Sequence, residues 1–152
     1  MKVEPIAYSV SGLNNKGALV YDEAAHAKRP LLLMAPNWLG INPVSTEVAR
    51  TLLADRYVVF MADMYGEGNG PTGKENPMEF LAPLMKNAAE TRKRIGAAFE
   101  TMVRETQKRG IGDTSRRAAI GYCFGGANVL DLARSGADVK AVVSMQIGRA
   151  HV

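Results

Sequence analysis

Residues 31–35 and 57–62 read Leu-Leu-Leu-Met-Ala and Tyr-Val-Val-Phe-Met-Ala, two unbroken apolar runs separated by a segment of different period. A run that is apolar at every position has no polar face to turn to water, so each is expected as a strand covered on both sides. The first is opened by Arg29-Pro30, ended by Pro36 and expected to be central. Between the two, Val44, Val48, Ala49, Leu52 and Leu53 recur at helical spacing within residues 43–54. A strand, helix, strand unit of this length demands a parallel pair joined by a right-handed crossover.

The alternation continues along the chain. Residues 6–10 and 18–21 are short runs flanked by Gly12, Asn14, Asn15 and Gly17, which predicts an opening hairpin. Residues 66–77 carry too many Gly and Pro for a regular element and are expected to form a mobile loop. Leu84, Ala88, Thr91, Ile95, Ala98, Phe99 and Met102 then step by three and four, predicting one long amphipathic helix on the sheet that ends near Gly110. Ala118-Ala119-Ile120 is expected as a strand, residues 127–134 as a helix and residues 139–145 as a final strand. The class is α/β, with a mostly parallel sheet and helices on both faces. With 152 residues and no linker or repeat, one domain is expected.

Charge and cysteine usage narrow the partners. The net charge is +4, and the basic excess lies within residues 86–117. There Glu90/Arg94, Glu100/Arg104 and Glu105/Arg109 set acid four residues before base, the pattern of a solvated helix face. No aromatic residues are interleaved with these cations, so nucleic-acid binding is not expected. One cysteine cannot close an internal disulfide, and the first residues lack the apolar stretch of a secretory signal, which makes a reducing cytoplasm the expected compartment. No window reaches membrane-spanning length, and neither cofactor nor metal is expected.

The chemistry concentrates in Gly121-Tyr122-Cys123-Phe124-Gly125, where the only cysteine stands between two glycines, after a strand and before a helix. This is the cysteine form of the G-x-S-x-G nucleophile elbow. The small residues Gly121 and Gly125 let strand and helix approach, and the helix N-terminus favours an anion such as a thiolate. The other reading of a lone cysteine is a buried structural side chain. A dinucleotide-binding turn is disfavoured, because Cys123 occupies the middle glycine of G-x-G-x-x-G and the turn follows several strands.

Three stretches, LLLMAPNWLGIN at residues 31–42, YVVFMADMYG at 57–66 and AAIGYCFGGANVLDLA at 118–133, resemble the dienelactone hydrolase family, cysteine-dependent members of the α/β-hydrolase superfamily. The resemblance implies that Cys123 attacks an ester or lactone carbonyl, with the oxyanion held by the backbone N–H groups of Trp38 and Phe124. Members usually carry a Glu where this chain has Asn37, which cannot accept a proton as a carboxylate does. For Asn37 and Trp38 the alternative is a turn residue and a core aromatic. Asp63, at a strand end, is read as a turn cap.

A triad also needs a histidine base and an acid placed after the nucleophile. His26 precedes it, in a polar loop, and reads as a surface residue; His151 stands at the very end. Residues 147–152, Ile-Gly-Arg-Ala-His-Val, are what the codons ATC GGA AGA GCA CAC GTC encode, a DNA string resembling a sequencing adapter. A His codon beginning CA and joined to the adapter's initial G yields Gln146. Residues 146–152 are therefore expected to be a non-native tail, and residues 1–145 the N-terminal portion of one α/β-hydrolase domain, incomplete at the C-terminus. The expected function is hydrolysis of small esters or lactones through a thioester acyl-enzyme, with this chain itself inactive in turnover and no acid or base of its own. The alternative is a non-catalytic binding or scaffold protein of the same fold.

Overall fold

A computed structural model describes residues 1–145, apart from the side chain of Leu52. The burial expected of the Leu52 side chain and the foreign tail expected at residues 146–152, His151 included, lie outside what is described. Six strands form one sheet: β1 (Lys2–Val10), β2 (Leu13–Tyr21), β3 (Arg29–Ala35), β4 (Val58–Met61), β5 (Gly112–Tyr122) and β6 (Ala141–Met145). Their order is β1-β2-β4-β3-β5-β6. The pairs β4/β3, β3/β5 and β5/β6 are parallel, while β1/β2 and β2/β4 are antiparallel. The parallel core and the opening hairpin are thus as expected, and β3 is central with residues 31–35 all buried.

Alternation within these strands divides the core. Leu31, Leu33, Val58 and Phe60 face Ile95, Ala98, Phe99, Met102, Val129 and Leu132, from the helices α3 (Ala88–Arg109) and α4 (Phe124–Arg134). On the opposite face Met34, Val59 and Met61 meet Ala49 and Ala54, from the segment that begins as α1 (Pro43–Val48) and continues as a π-helical turn, Ala49–Leu53. Helices cover both faces because each β3 and β4 side chain points opposite to its neighbour.

Several boundaries differ from the sequence reading. The hairpin strands are longer, and the turn is Ser11-Gly12, both at positive φ (53° and 75°), as a two-residue turn between right-twisted strands requires. Gly17 lies inside β2, where a Cβ would stand 2.5 Å from the Phe60 ring, so it makes room for a core aromatic instead of marking the turn. The single long helix expected from Leu84 to Met102 is two: α2 (Pro77–Met85), which holds Leu84, and α3, restarted by Asn87, whose side chain accepts from the Glu90 N–H. The periodicity ran through this break because Thr91 is buried under the junction, its hydroxyl donating to Leu84 O at 2.9 Å. Strand β5 reaches back to Gly112 through a register shift opposite Pro30/Leu31, α4 starts at Phe124 instead of residue 127, and β6 starts at Ala141 instead of residue 139.

On α3 the pairs Glu90–Arg94 (2.9 Å) and Glu105–Arg109 (2.5 Å) form; Arg104 turns instead to Glu105 and Thr101. Arg109 also reaches Glu4 at 2.9 Å, tying α3 to β1, and its guanidinium holds both carboxyls below the usual range. No helix among the described residues is long and apolar enough to cross a membrane.

Candidate active site

Successive parallel strands leave the centre of the sheet in opposite directions, β3 feeding β4 on one side while β5 lies on the other. Ligand crevices of open α/β sheets form where the strand order reverses, beyond the carboxyl ends of the strands. Two loops meet there: residues 36–42 after β3, and the turn from β5 into α4.

Cys123 stands at that second turn with φ 54° and ψ −113°, the only described non-glycine residue besides Ser11 at positive φ. It is the N-cap of α4. Its N–H donates to Met145 O on β6 (2.8 Å), and its carbonyl accepts from the Gly126 N–H (2.9 Å), so the strained residue is held on both sides. The two elbow glycines are sterically obligatory. A Cβ at Gly121 would lie 2.1 Å from Gly125 O, and one at Gly125 would lie 2.0 Å from Ala35 O and 2.5 Å from Pro36 O. The second clash presses the start of α4 directly against the end of β3, bringing the elbow and the residue 36–42 loop together. Cys123 is a free, half-buried thiol.

The loop after β3 is built by side-chain to backbone hydrogen bonds. Asn37 Oδ1 accepts from the Leu39 N–H (3.0 Å) and its carbonyl from the Gly40 N–H (2.9 Å). Asn37 is therefore the turn residue, exposed, and it also borders the cleft at Cys123. Asn42 caps α1, reciprocated by Ser45, and the Ser45 hydroxyl donates to Gly40 O. Tyr65 then donates its hydroxyl to Trp38 O at 2.6 Å, with its ring edge-on to Phe80 at 5.8 Å. Burial pushes the Tyr65 phenol up to about 12, so it remains a donor at neutral pH. Tyr65 was not singled out in the sequence; a hydrogen bond between two loops 27 residues apart leaves no local signal.

Trp38 and Cys123 stand between two clefts. One, of about 480 Å³, is lined by Met34, Asn37, Val44, Val48 and Tyr122, whose phenol burial also pushes upward. The other, of about 720 Å³, is lined by Met78, Leu81, Leu84 and Met85 of α2, with Phe124, Ala127 and Asn128 of α4. The structure thus places Cys123 and Trp38 at both clefts, with Asn37 bordering the first and Phe124 the second. Asn128, 1% exposed, was missed, although a polar residue four before Leu132 on the buried face of α4 was a readable anomaly.

The remaining candidates fall elsewhere. Asp63 caps the turn after β4, accepting from the N–H groups of Tyr65 and Gly66 (both 3.0 Å) and of Lys16 (2.9 Å). His26 lines a depression with Asp22, Arg29 and Ile111, at the amino ends of β3 and β5, the opposite end of the sheet from Cys123. Among the described residues no three His, Cys, Asp or Glu side chains are grouped to hold a metal ion.

The sequence model of the dienelactone hydrolase family matches residues 16–146. No curated protein matches the chain. Among solved structures, the protein named m3DLH is 33% identical with a TM-score of 0.82, over 93% of this chain and 57% of its own. A dienelactone hydrolase-like promiscuous phosphotriesterase from metagenomic libraries is 27% identical with a TM-score of 0.84, over 99% of this chain and 62% of its own. A dienelactone hydrolase homologue from Klebsiella pneumoniae, 17% identical with a TM-score of 0.72 over 100% of this chain and 64% of its own, shares the fold. The chain therefore spans about three-fifths of the length of these structures.

Proposed function

We propose, from the premise that this chain belongs to the dienelactone hydrolase family, that its site is built to cleave small carboxylic esters or lactones with Cys123 as nucleophile. The observation that carries this reading is the elbow, a cysteine at φ 54° on the N-cap of α4, between two glycines that leave no room for a Cβ. A half-buried cysteine that only filled space would not need that backbone.

In this reading the thiolate of Cys123 adds to the substrate carbonyl carbon, and collapse of the adduct breaks the C–O bond and expels the alcohol oxygen as an anion, which takes its proton from solvent water. The acyl group stays on sulfur as a thioester, which water hydrolyses to the acid and the free thiol. The Phe124 N–H, first of α4, has no intrahelical acceptor and lies at the positive end of the helix dipole. It is assigned with the Trp38 N–H, on the loop braced by Tyr65, to the oxyanion. Asn37 shapes that loop without serving as a base. Water activation needs a histidine and an acid that are not among the described residues, since His26 stands at the other end of the sheet. The chain as given is therefore assigned acylation without turnover. A free thiol nucleophile suits a reducing compartment, and a cytoplasmic location goes with this reading.

The test is reaction with para-nitrophenyl acetate. A stoichiometric burst of nitrophenolate is expected, together with an acetyl mass increase on the peptide that contains Cys123, both lost in Cys123→Ala. A phosphotriester is assayed in parallel, given the activity of one related structure. No burst and no adduct would instead favour a non-catalytic binding protein of the same fold, and multiple turnovers dependent on Cys123 would overturn the assignment of acylation alone.

A further inference from the structure

Asn128 lies in the floor of the wider cleft, 1% exposed, and its side-chain NH₂ has no hydrogen-bond partner. An unpaired amide inside a core loses its hydration with nothing in return, so a buried donor facing a cleft marks a place where a ligand supplies the partner. Among the described residues the other buried orphan atom, Asn15 Oδ1, has no such setting, because the same side chain already donates to Asp63 O and serves the turn there.

The rest of the cleft gives this donor its meaning. Met78, Leu81, Leu84 and Met85 make one wall apolar. The Thr91 hydroxyl is committed to Leu84 O (2.9 Å) and Asn87 O (3.1 Å) at the junction of α2 and α3. Asp131 is engaged by Arg92 and Arg134. Among the described residues no lysine or arginine lines the cleft, so none of them neutralises a carboxylate there. Asn128 is on the helix that Cys123 caps, and five residues at 1.5 Å each place it about 7 Å further along the axis. Cys123 and Asn128 line the same cleft, so an acyl group held on the sulfur and laid in that cleft has Asn128 among its neighbours.

We infer that Asn128 is a specificity residue, selecting an uncharged acyl group that is largely apolar but carries a hydrogen-bond acceptor, an ether, hydroxyl or ketone oxygen, a few bonds beyond the reacting carbonyl. The inference rests on Cys123 being the nucleophile. It accounts for a polar side chain among methionines and leucines without giving it a part in bond making.

The experiment compares acylation of the full chain by para-nitrophenyl pentanoate and by its isostere para-nitrophenyl β-methoxypropanoate, which differ only in one CH₂ replaced by oxygen. Each rate is divided by that of free N-acetylcysteine with the same ester. The ether ester is expected to react about tenfold faster on this scale, the worth of one net hydrogen bond. In Asn128→Leu, which keeps the branched shape and removes the donor, that preference is expected to vanish. Equal ratios in both proteins overturn the inference. Failure of both esters to leave an adduct on Cys123 overturns the nucleophile reading itself, and is distinguished from the other outcomes by that missing adduct.

Discussion

Ser11 and Cys123 have almost the same backbone angle, φ 53° and 54°, and owe it to opposite causes. Ser11 is exposed in the β1–β2 turn, where a Cβ on neighbouring Gly12 would meet nothing within 4 Å. Its conformation follows from the two-residue turn alone, and any residue tolerant of left-handed geometry would serve. Cys123 is fixed from outside, by β6 bonding its N–H, by α4 starting at the next residue, and by glycines packed against backbone oxygens. Strain at the first site is local and dispensable; at the second the surrounding fold imposes it and aims a thiol at the cleft.

The contrast breaks most sharply on replacing each residue by glycine. Cys123→Gly is expected to lose ester acylation by at least ~10³-fold while gaining about 1 kcal/mol of stability from relief of the positive φ. A burst assay and a urea melt on the same preparation check both. Next, Gly121→Ala is expected to cost about 3 kcal/mol or more, since overpacking here meets a backbone oxygen that cannot rotate away, whereas Gly12→Ala should cost only the left-handed penalty, about 1–2 kcal/mol. Equal urea midpoints for the two alanine variants would erase the distinction between the turns. A smaller effect is expected for Tyr65→Phe, which removes the 2.6 Å bond to Trp38 O. It should cost about 1 kcal/mol and slow acylation several-fold while leaving labelling of Cys123 by iodoacetamide unchanged.

Ser11→Gly carries the smallest expected change, a gain of up to about 1 kcal/mol at neutral pH. Part of that gain is offset because the Ser11 hydroxyl donates to Glu90 (3.1 Å). Arg94 first, and Ser11 with it, holds the Glu90 carboxyl below its ordinary value of 4.5. A lowered folded-state value means that the stabilisation is present above that pH and is lost as pH falls through the folded value. The advantage of Ser11→Gly should therefore grow in acid, read from chemical melts on both sides of that range.

How much of this was legible follows from the range of the interactions. The strands at residues 31–35 and 58–61 were legible because full burial leaves an unbroken apolar run, and Gly121 and Gly125 because the turn at Cys123 cannot accept a Cβ two residues to either side. The break at Asn87 was hidden because Thr91 and Leu84 are buried on both sides of it and carry the helical period across. Gly17 looked like a turn glycine because the Phe60 ring that needs its space lies in another strand.

By itself the sequence determined the α/β class, the parallel core, the hairpin and the identity of the elbow, all of which rest on periodicities and steric rules that act over a few residues. Only the tertiary structure decided that β4 inserts between β2 and β3, that the loops after β3 and β5 meet at one crevice, that Tyr65 braces Trp38, and that Asn128 is left without a partner beside the thiol. These depend on which distant surfaces share the last few ångströms of space, and a residue carries no record of a neighbour that the chain brings to it from elsewhere.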